Sequence, residues 1–258
     1  MNFFRPILYG YWSSSSVWRV RIALQYKGID YEVRPVKRED LKNLDFVRLN
    51  PTASVPVLVH GKSILSESLA IIEFLEEEYL ATKKLLPGDS FNKAMARSLA
   101  LNIVCGVQPL QNKKVQEFVE QKGIDGKEWA QHFINQGFTT LERRLQRTAG
   151  TYCIGDEVSL PDACLVPQVY NAINKYDLEL GAFPNIRKIN ENLEKIPAFQ
   201  RAHANCQPDT PAEMRLRGRP NSKALFTSKL YFKLISRIAI SLMHSVAIFI
   251  RCKYLINW

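Results

Sequence analysis

Four consecutive serines, Ser13 to Ser16, stand directly before an apolar-periodic stretch, and hydroxyls so placed suit one chemistry, the holding of an anion or a thiol sulfur. Val17, Val20 and Leu24 fall on one helical stripe, which puts the serines at a helix N-terminus. There, unpaired N–H groups and the helix dipole favour negative charge. Serine is equally a good N-cap, so the cluster also reads as a plain helix start. Arg19, in the second turn, carries a guanidinium that suits a carboxylate, although an arginine there more often faces solvent. A second helix start lies at Glu67 and Ser68, at the head of SESLAIIEFLEEEYL. Two helix N-termini can converge on one ligand.

The elements that must position these groups follow from periodicity. Ile7, Leu8 and Tyr9 form a short strand and Gly10 a bend; the first helix then runs to Lys27 and Gly28, a C-terminal glycine stop. Residues 31–36 alternate as a second strand, 37–50 hold a short, loosely packed helix, and 54–59 (SVPVLV) resume strand character. Pro56 cannot donate to a ladder and belongs at an edge or first position; a cis Val55–Pro56 bond is a tight-turn device, whereas a trans proline is the more frequent arrangement. His60-Gly61-Lys62 predicts a hairpin turn, and in the next helix Leu69, Ile72 and Leu75 face inward while Glu76, Glu77 and Glu78 lie toward solvent. The order βαβ, then ββα, is the plan of a thioredoxin-like domain within residues 1–84.

After the punctuated linker ATKKLLPGD the pattern turns wholly helical, predicting helices over 92–122, 126–148, 161–176, 186–195 and 198–204 within a domain spanning 90–214. Ser159 and Asp162 form a capping-box variant with Pro161 in the first turn, a structural device. The fold class is thus α/β plus all-α.

The net charge of +10 invites nucleic acid until it is located. No acid follows Glu213, while nine basic residues do; the chain before Arg215 is close to neutral, and a nucleic-acid partner loses its support. Cys105, Cys153, Cys164, Cys206 and Cys252 show no CxxC or paired metal spacing, which points to a reducing compartment and no metal site. The N-terminus lacks a signal-peptide pattern, and the expected location is cytoplasmic.

Taken together, SSSSVWRVRIAL, LNPTASVPVL, ESLAIIEFLEE, QPLQN, YCIGDEVSLPDACLVPQVYNA and QPDTP resemble the zeta-class glutathione transferases, which include maleylacetoacetate isomerase; the resemblance covers residues 6–211. It implies a thioredoxin-like glutathione-binding domain followed by a helical bundle domain, the glutathione transferase fold, as a homodimer. It also implies that glutathione is the cofactor and that a small dicarboxylic or diketo acid is the substrate. The activity implied is cis–trans isomerisation of maleylacetoacetate to fumarylacetoacetate in tyrosine and phenylalanine catabolism, with transferase activity on small α-halo acids beside it.

Carried over residue by residue, the resemblance makes Ser14 the donor to the glutathione sulfur, with Ser15 and Ser16 beside it as catalytic candidates. Val17, Trp18 and Arg19 continue that glutathione-contacting turn, Val55 precedes the cis-proline Pro56, and Glu67 and Ser68 hold the γ-glutamyl end. Gln111 belongs near glutathione, and Arg19, Asn112 and Lys175 near the substrate. Ser16 stands where the family usually has cysteine, and Lys175 where an arginine is usual nearby. These departures keep a second reading open, a glutathione-binding interaction protein with weakened catalysis.

Residues 215–258 have no family counterpart. Their basic, apolar composition suits an interfacial anchor, an extra helix or translated non-coding sequence, and the abrupt change after QPDTP favours the last; membrane contact is expected only under the first.

Overall fold

Gly10 ends the first strand where a Cβ would collide with the Val17 methyl groups, so its missing side chain lets the first helix pack directly over the strand that feeds it. In the computed structural model, which describes residues 5–216, that strand is β1 (Ile7–Gly10) and the helix α1 (Ser15–Lys27). Then follow β2 (Glu32–Pro35), a 3₁₀ turn (Glu39–Lys42), α2 (Leu44–Leu49), β3 (Val57–His60), β4 (Ser63–Ser66) and α3 (Ser68–Glu78). The four strands lie in the order β2-β1-β3-β4. β1 runs parallel to β2 (Leu8 opposite Val33) and antiparallel to β3 (Leu8 opposite Leu58); β4 returns antiparallel on β3. Central β1 and β3 carry Leu8 and Leu58 into the core with Val20, Leu24, Ile71, Ile72 and Leu75 of α1 and α3.

The rest of the described chain is helical: α4 (Ser90–Val104), α5 (Lys113–Glu120), α6 (Gly126–Thr148), α7 (Leu160–Tyr176), α8 (Pro184–Leu193) and α9 (Pro197–Ala202). Helix α7 is buried along almost its whole length and packs against α1, α4, α6 and α8. A thioredoxin-like sheet layer followed by a predominantly helical part is the expected fold class.

Local details differ from the sequence reading. The single helix expected over 92–122 is two, α4 and α5, broken by the segment CGVQPLQN, where Pro109 has no N–H to continue a ladder. The strand expected from residue 54 begins at Val57, after a cis Val55–Pro56 bond. Glu76 does not face solvent. It is 7% exposed, and Oε1 accepts from Lys27 Nζ at 2.7 Å and the Leu85 amide at 3.0 Å, while Oε2 accepts from the Leu86 amide at 3.3 Å. A carboxylate so placed ties α1 and α3 to the chain leading into α4. Asp162 behaves as the capping box requires, accepting from the Ser159 amide at 2.8 Å, and it also takes the Cys153 amide at 2.9 Å. Burial raises its proton affinity and those hydrogen bonds oppose the rise.

Beyond Leu216 the basic apolar tail lies outside the described residues, as do the three readings of it. Among the described residues no helix is long and apolar enough to cross a membrane.

Candidate active site

The serine turn sits where β1 passes into α1. Ser14 is the N-cap, in extended backbone, and its Oγ accepts the Val17 amide at 3.3 Å. A serine hydroxyl has one proton and two lone pairs. With the Val17 amide on a lone pair, the proton stays available for an acceptor in front of the helix. The amides of Ser15 and Ser16, at the first two helical positions, precede the intrahelical ladder and face the same direction of attack. The loop before the turn is held from both sides: the Trp12 amide donates to Asp209 Oδ2 at 2.7 Å, and Arg21 Nη2 donates to the Trp12 carbonyl at 2.9 Å. Asp209 comes from chain that sequence periodicity says nothing about.

In front of the turn opens a cleft of about 580 Å³, within the range of small-ligand sites. Ser13, Ser14, Ser15 and Ser16 line it together with Ser54 and Val55 from the segment before β3. Gln111 and Asn112 enter from the break between α4 and α5, and Asn171 and Lys175 from α7. Residues far apart in sequence, Val55, Asn112 and Lys175, therefore meet the serines as expected. Arg38, Lys113 and Lys114 join Lys175 on the wall, opposed by Glu117 alone among its acids, so the cleft is electropositive and suited to an anionic ligand.

Lys175 keeps solvent contact, yet desolvation in the cleft, and then the Arg38 charge, lower its amine to about 8. Arg38 in turn lies over the Tyr11 ring, 4.9 Å from its centroid. Tyr11, Arg38, Gln108 and Tyr176 escape the sequence reading; a polar loop and an interrupted helix carry no periodicity that marks them.

Other expected ligand contacts are placed elsewhere. Val17 and Trp18 turn into the hydrophobic core, 1% and 2% exposed, and do not line the cleft. Arg19 is not a surface arginine: it is 1% exposed and donates from Nη1 to Ser68 Oγ at 3.2 Å, so a direct substrate contact by Arg19 is replaced by a contact with another expected site residue. Pro56 is buried behind Val55. Gln111 reaches the cleft wall, but its carboxamide pairs reciprocally with that of Gln168, at 3.0 and 2.9 Å. Glu67 is exposed as the N-cap of α3 at a positive φ of 69°, and its side chain makes no capping bond, which leaves the first amides of α3 without a side-chain acceptor. Among the described residues no group of His, Cys, Asp and Glu can hold a metal ion.

Comparison with known proteins agrees with this geometry. Residues 8–83 match the family described as Glutathione S-transferase, N-terminal domain. The chain is 46% identical over 215 residues to the maleylacetoacetate isomerase of Mus musculus, covering 82% of this chain and 98% of that one. A solved maleylpyruvate isomerase, described as a bacterial zeta-class glutathione S-transferase, superposes with a TM-score of 0.76 at 36% identity, covering 80% of this chain and 100% of its own. A maleylacetoacetate isomerase from Methylobacterium extorquens AM1, solved with bound malonate and glutathione, gives a TM-score of 0.75 at 36% identity with the same coverage.

Proposed function

The chain belongs to the glutathione transferase family, in its zeta-class maleylacetoacetate isomerase group, and from that premise we propose that it isomerises maleylacetoacetate to fumarylacetoacetate with glutathione as cofactor. The observation that carries the reading is Ser14: an N-cap whose oxygen is engaged by the Val17 amide and whose proton is left to face an electropositive cleft.

The donor set fits glutathione, an anionic tripeptide with a thiol. A free thiol has a pKa near about 8.5, so little of it is ionised at neutral pH. Ser14 lowers that value by donating to the sulfur, helped by the amides of Ser15 and Ser16 and the α1 dipole. It does not remove the proton, since a serine hydroxyl is far too weak a base. In this reading the Val55 backbone pairs with the cysteinyl portion, Ser68 and the first amides of α3 with the γ-glutamyl carboxylate, and Glu67 with its ammonium. Gln111 borders the same ligand. When bound, glutathione supplies a thiolate that adds reversibly to the conjugated double bond, leaving a single bond about which rotation occurs before elimination. Lys175 and Arg38 neutralise the substrate carboxylate during that rotation, and Asn112 donates hydrogen bonds at the mouth. No proton or electron is gained overall.

The wider reading is that residues 1–84 bind glutathione and 90–214 complete the substrate site, in a cytoplasmic homodimer serving tyrosine and phenylalanine catabolism. Small α-halo acids fit the same electropositive cleft as transferase substrates. The malonate bound together with glutathione in the Methylobacterium extorquens enzyme supports a dicarboxylate as the second ligand.

Ser16 favours a second reading. A hydroxyl at that place on the cleft wall lacks the acidity and nucleophilicity of a thiol, which suits a binding protein with weakened catalysis. Isomerisation of maleylacetone, a substrate mimic, separates the two. A glutathione-dependent rate well above background supports the isomerase, and glutathione binding without such a rate supports the binding protein.

A further inference from the structure

Arg19 is a buried cation with unmet hydrogen-bonding capacity. Its guanidinium has one partner among the described residues, Ser68 Oγ at 3.2 Å, and both Nε and Nη2 are enclosed with none. Two positions along α1, Arg21 is equally buried but donates to two carbonyls, those of Ala202 at 3.1 Å and Trp12 at 2.9 Å. Enclosing a guanidinium with idle donors is costly, and burial pulls the Arg19 proton affinity down. A purely structural side chain at this place gains nothing from that cost. Glu67, the one carboxylate whose charge opposes this effect, is exposed and makes no hydrogen bond to Arg19.

The direction of the single contact is informative. A guanidinium carries donors only, so Ser68 Oγ accepts from it and the Ser68 proton must point away from Arg19. Ser68 opens α3, an eleven-residue helix whose first amides have no side-chain cap. A hydroxyl proton and uncapped amides at the start of α3, with a positive charge held against Ser68, together match a carboxylate.

We propose that Arg19 is a positioning residue for the amino-acid end of glutathione: it fixes Ser68 as a donor to the γ-glutamyl α-carboxylate and supplies the buried positive charge that this carboxylate faces, without touching the ligand. The inference rests on the glutathione-binding function proposed above. It accounts for a buried arginine in a helix whose other inward positions are mostly apolar.

The test is calorimetric titration of the full chain with glutathione and with 4-aminobutanoyl-cysteinyl-glycine, which lacks only that carboxylate. Wild-type protein binds glutathione more tightly than the analogue. Arg19→Met and Ser68→Ala each weaken glutathione roughly tenfold or more and leave the analogue within twofold; the double variant is no weaker than either single one. Arg19→Lys recovers part of the loss, and the KM for glutathione rises while kcat at saturating glutathione stays within about twofold. Equal losses for the two ligands, additive effects in the double variant, or equal wild-type affinity for both overturn the proposal. If Arg19→Met does not fold, the same cycle with Arg19→Lys and Ser68→Ala decides by the same pattern. Wild-type protein that binds no glutathione overturns the functional reading itself, a separate outcome from loss of the Arg19 effect alone.

Discussion

Asp209 accepts the Trp12 amide at 2.7 Å, joining the QPDTP segment to the loop that leads into the serine turn. The Trp12 carbonyl is taken by Arg21, whose Nε also holds the Ala202 carbonyl. Both backbone groups of one residue are thus pinned, one by distant chain and one by the following helix, which orients Ser14 more tightly than the short β1-to-α1 connection does alone. Asp209→Ala is expected to raise the KM for glutathione severalfold and to cost about 1.5–3 kcal/mol of stability, the range for a hydrogen bond to a charged group. Asp209→Asn keeps an acceptor and should retain most of both. Urea unfolding beside steady-state kinetics measures the two effects.

Removing the Ser14 hydroxyl takes away the donor to the sulfur. Ser14→Ala should raise the pKa of bound glutathione by one to two units, on the order of 1.5–3 kcal/mol, and cut turnover by about 10–100-fold with modest loss of binding. The ultraviolet absorbance of the bound thiolate, followed against pH, reads the shift directly. An unchanged profile would move the donor to Ser15 or Ser16.

Lys175 titrates within the working range. Its amine, lowered to about 8 by desolvation and then by Arg38, is charged below that pH and neutral above it. Affinity for the anionic substrate should therefore be greatest below pH 8 and fall as pH rises through it, while a bound carboxylate shifts the transition upward. Lys175→Arg should move the loss beyond pH 10, and Lys175→Met should abolish it. The substrate KM between pH 6.5 and 9.5, at saturating glutathione, is the measurement.

His203 contributes on the acid side. Burial, and secondarily the Arg21 charge, depress its pKa from 6.5 to about 4, so the folded protein binds fewer protons than the unfolded chain between those values. Its contribution is intact above pH 6.5 and is lost as pH falls toward 4, up to about 3 kcal/mol. The ring packs edge-on against Trp18, with centroids 4.7 Å apart, and Nδ1 accepts the Asn205 amide. His203→Gln should be less stable at pH 7.5 yet show a shallower decline in urea midpoint down to pH 4.5.

The enclosed pair of Lys27 and Glu76 holds the chain between α3 and α4. Glu76→Ala strands the Lys27 ammonium and two amides, at a cost of about 3–5 kcal/mol. Glu76→Ala with Lys27→Met should recover part of that loss, as denaturant titrations of the single and double variants will show.

Several features were legible in the chain itself. Hydrophobic period separates the sheet-forming first part from the helical remainder, and Gly28 and the Ser159–Asp162 box mark helix ends by their own chemistry. The serine turn, Val55 and Asn112 were legible as site candidates through the motifs that carry them, and Lys175 as a departure from one, and the cleft gathers all of them. The break between α4 and α5 was missed, because helical periodicity on both sides masked Pro109.

The tertiary structure decided which way the charged residues of the first and third helices face. Arg19, Arg21, Lys27 and Glu76 have the composition of a solvated surface, and a linear pattern assigns them there; each is buried because its partner comes from another part of the chain. Arg19 meets Ser68 across 49 positions and Arg21 meets Ala202 across 181. No local propensity encodes such a partner, since the energy that offsets burying a charge arises only when the distant group arrives. By itself the sequence determined that a hydroxyl-rich turn opens the first helix, and the resemblance of its motifs pointed that turn toward a thiol ligand. Only the folded chain decided that Arg19 is enclosed and donates to Ser68 at the second helix start instead of facing solvent.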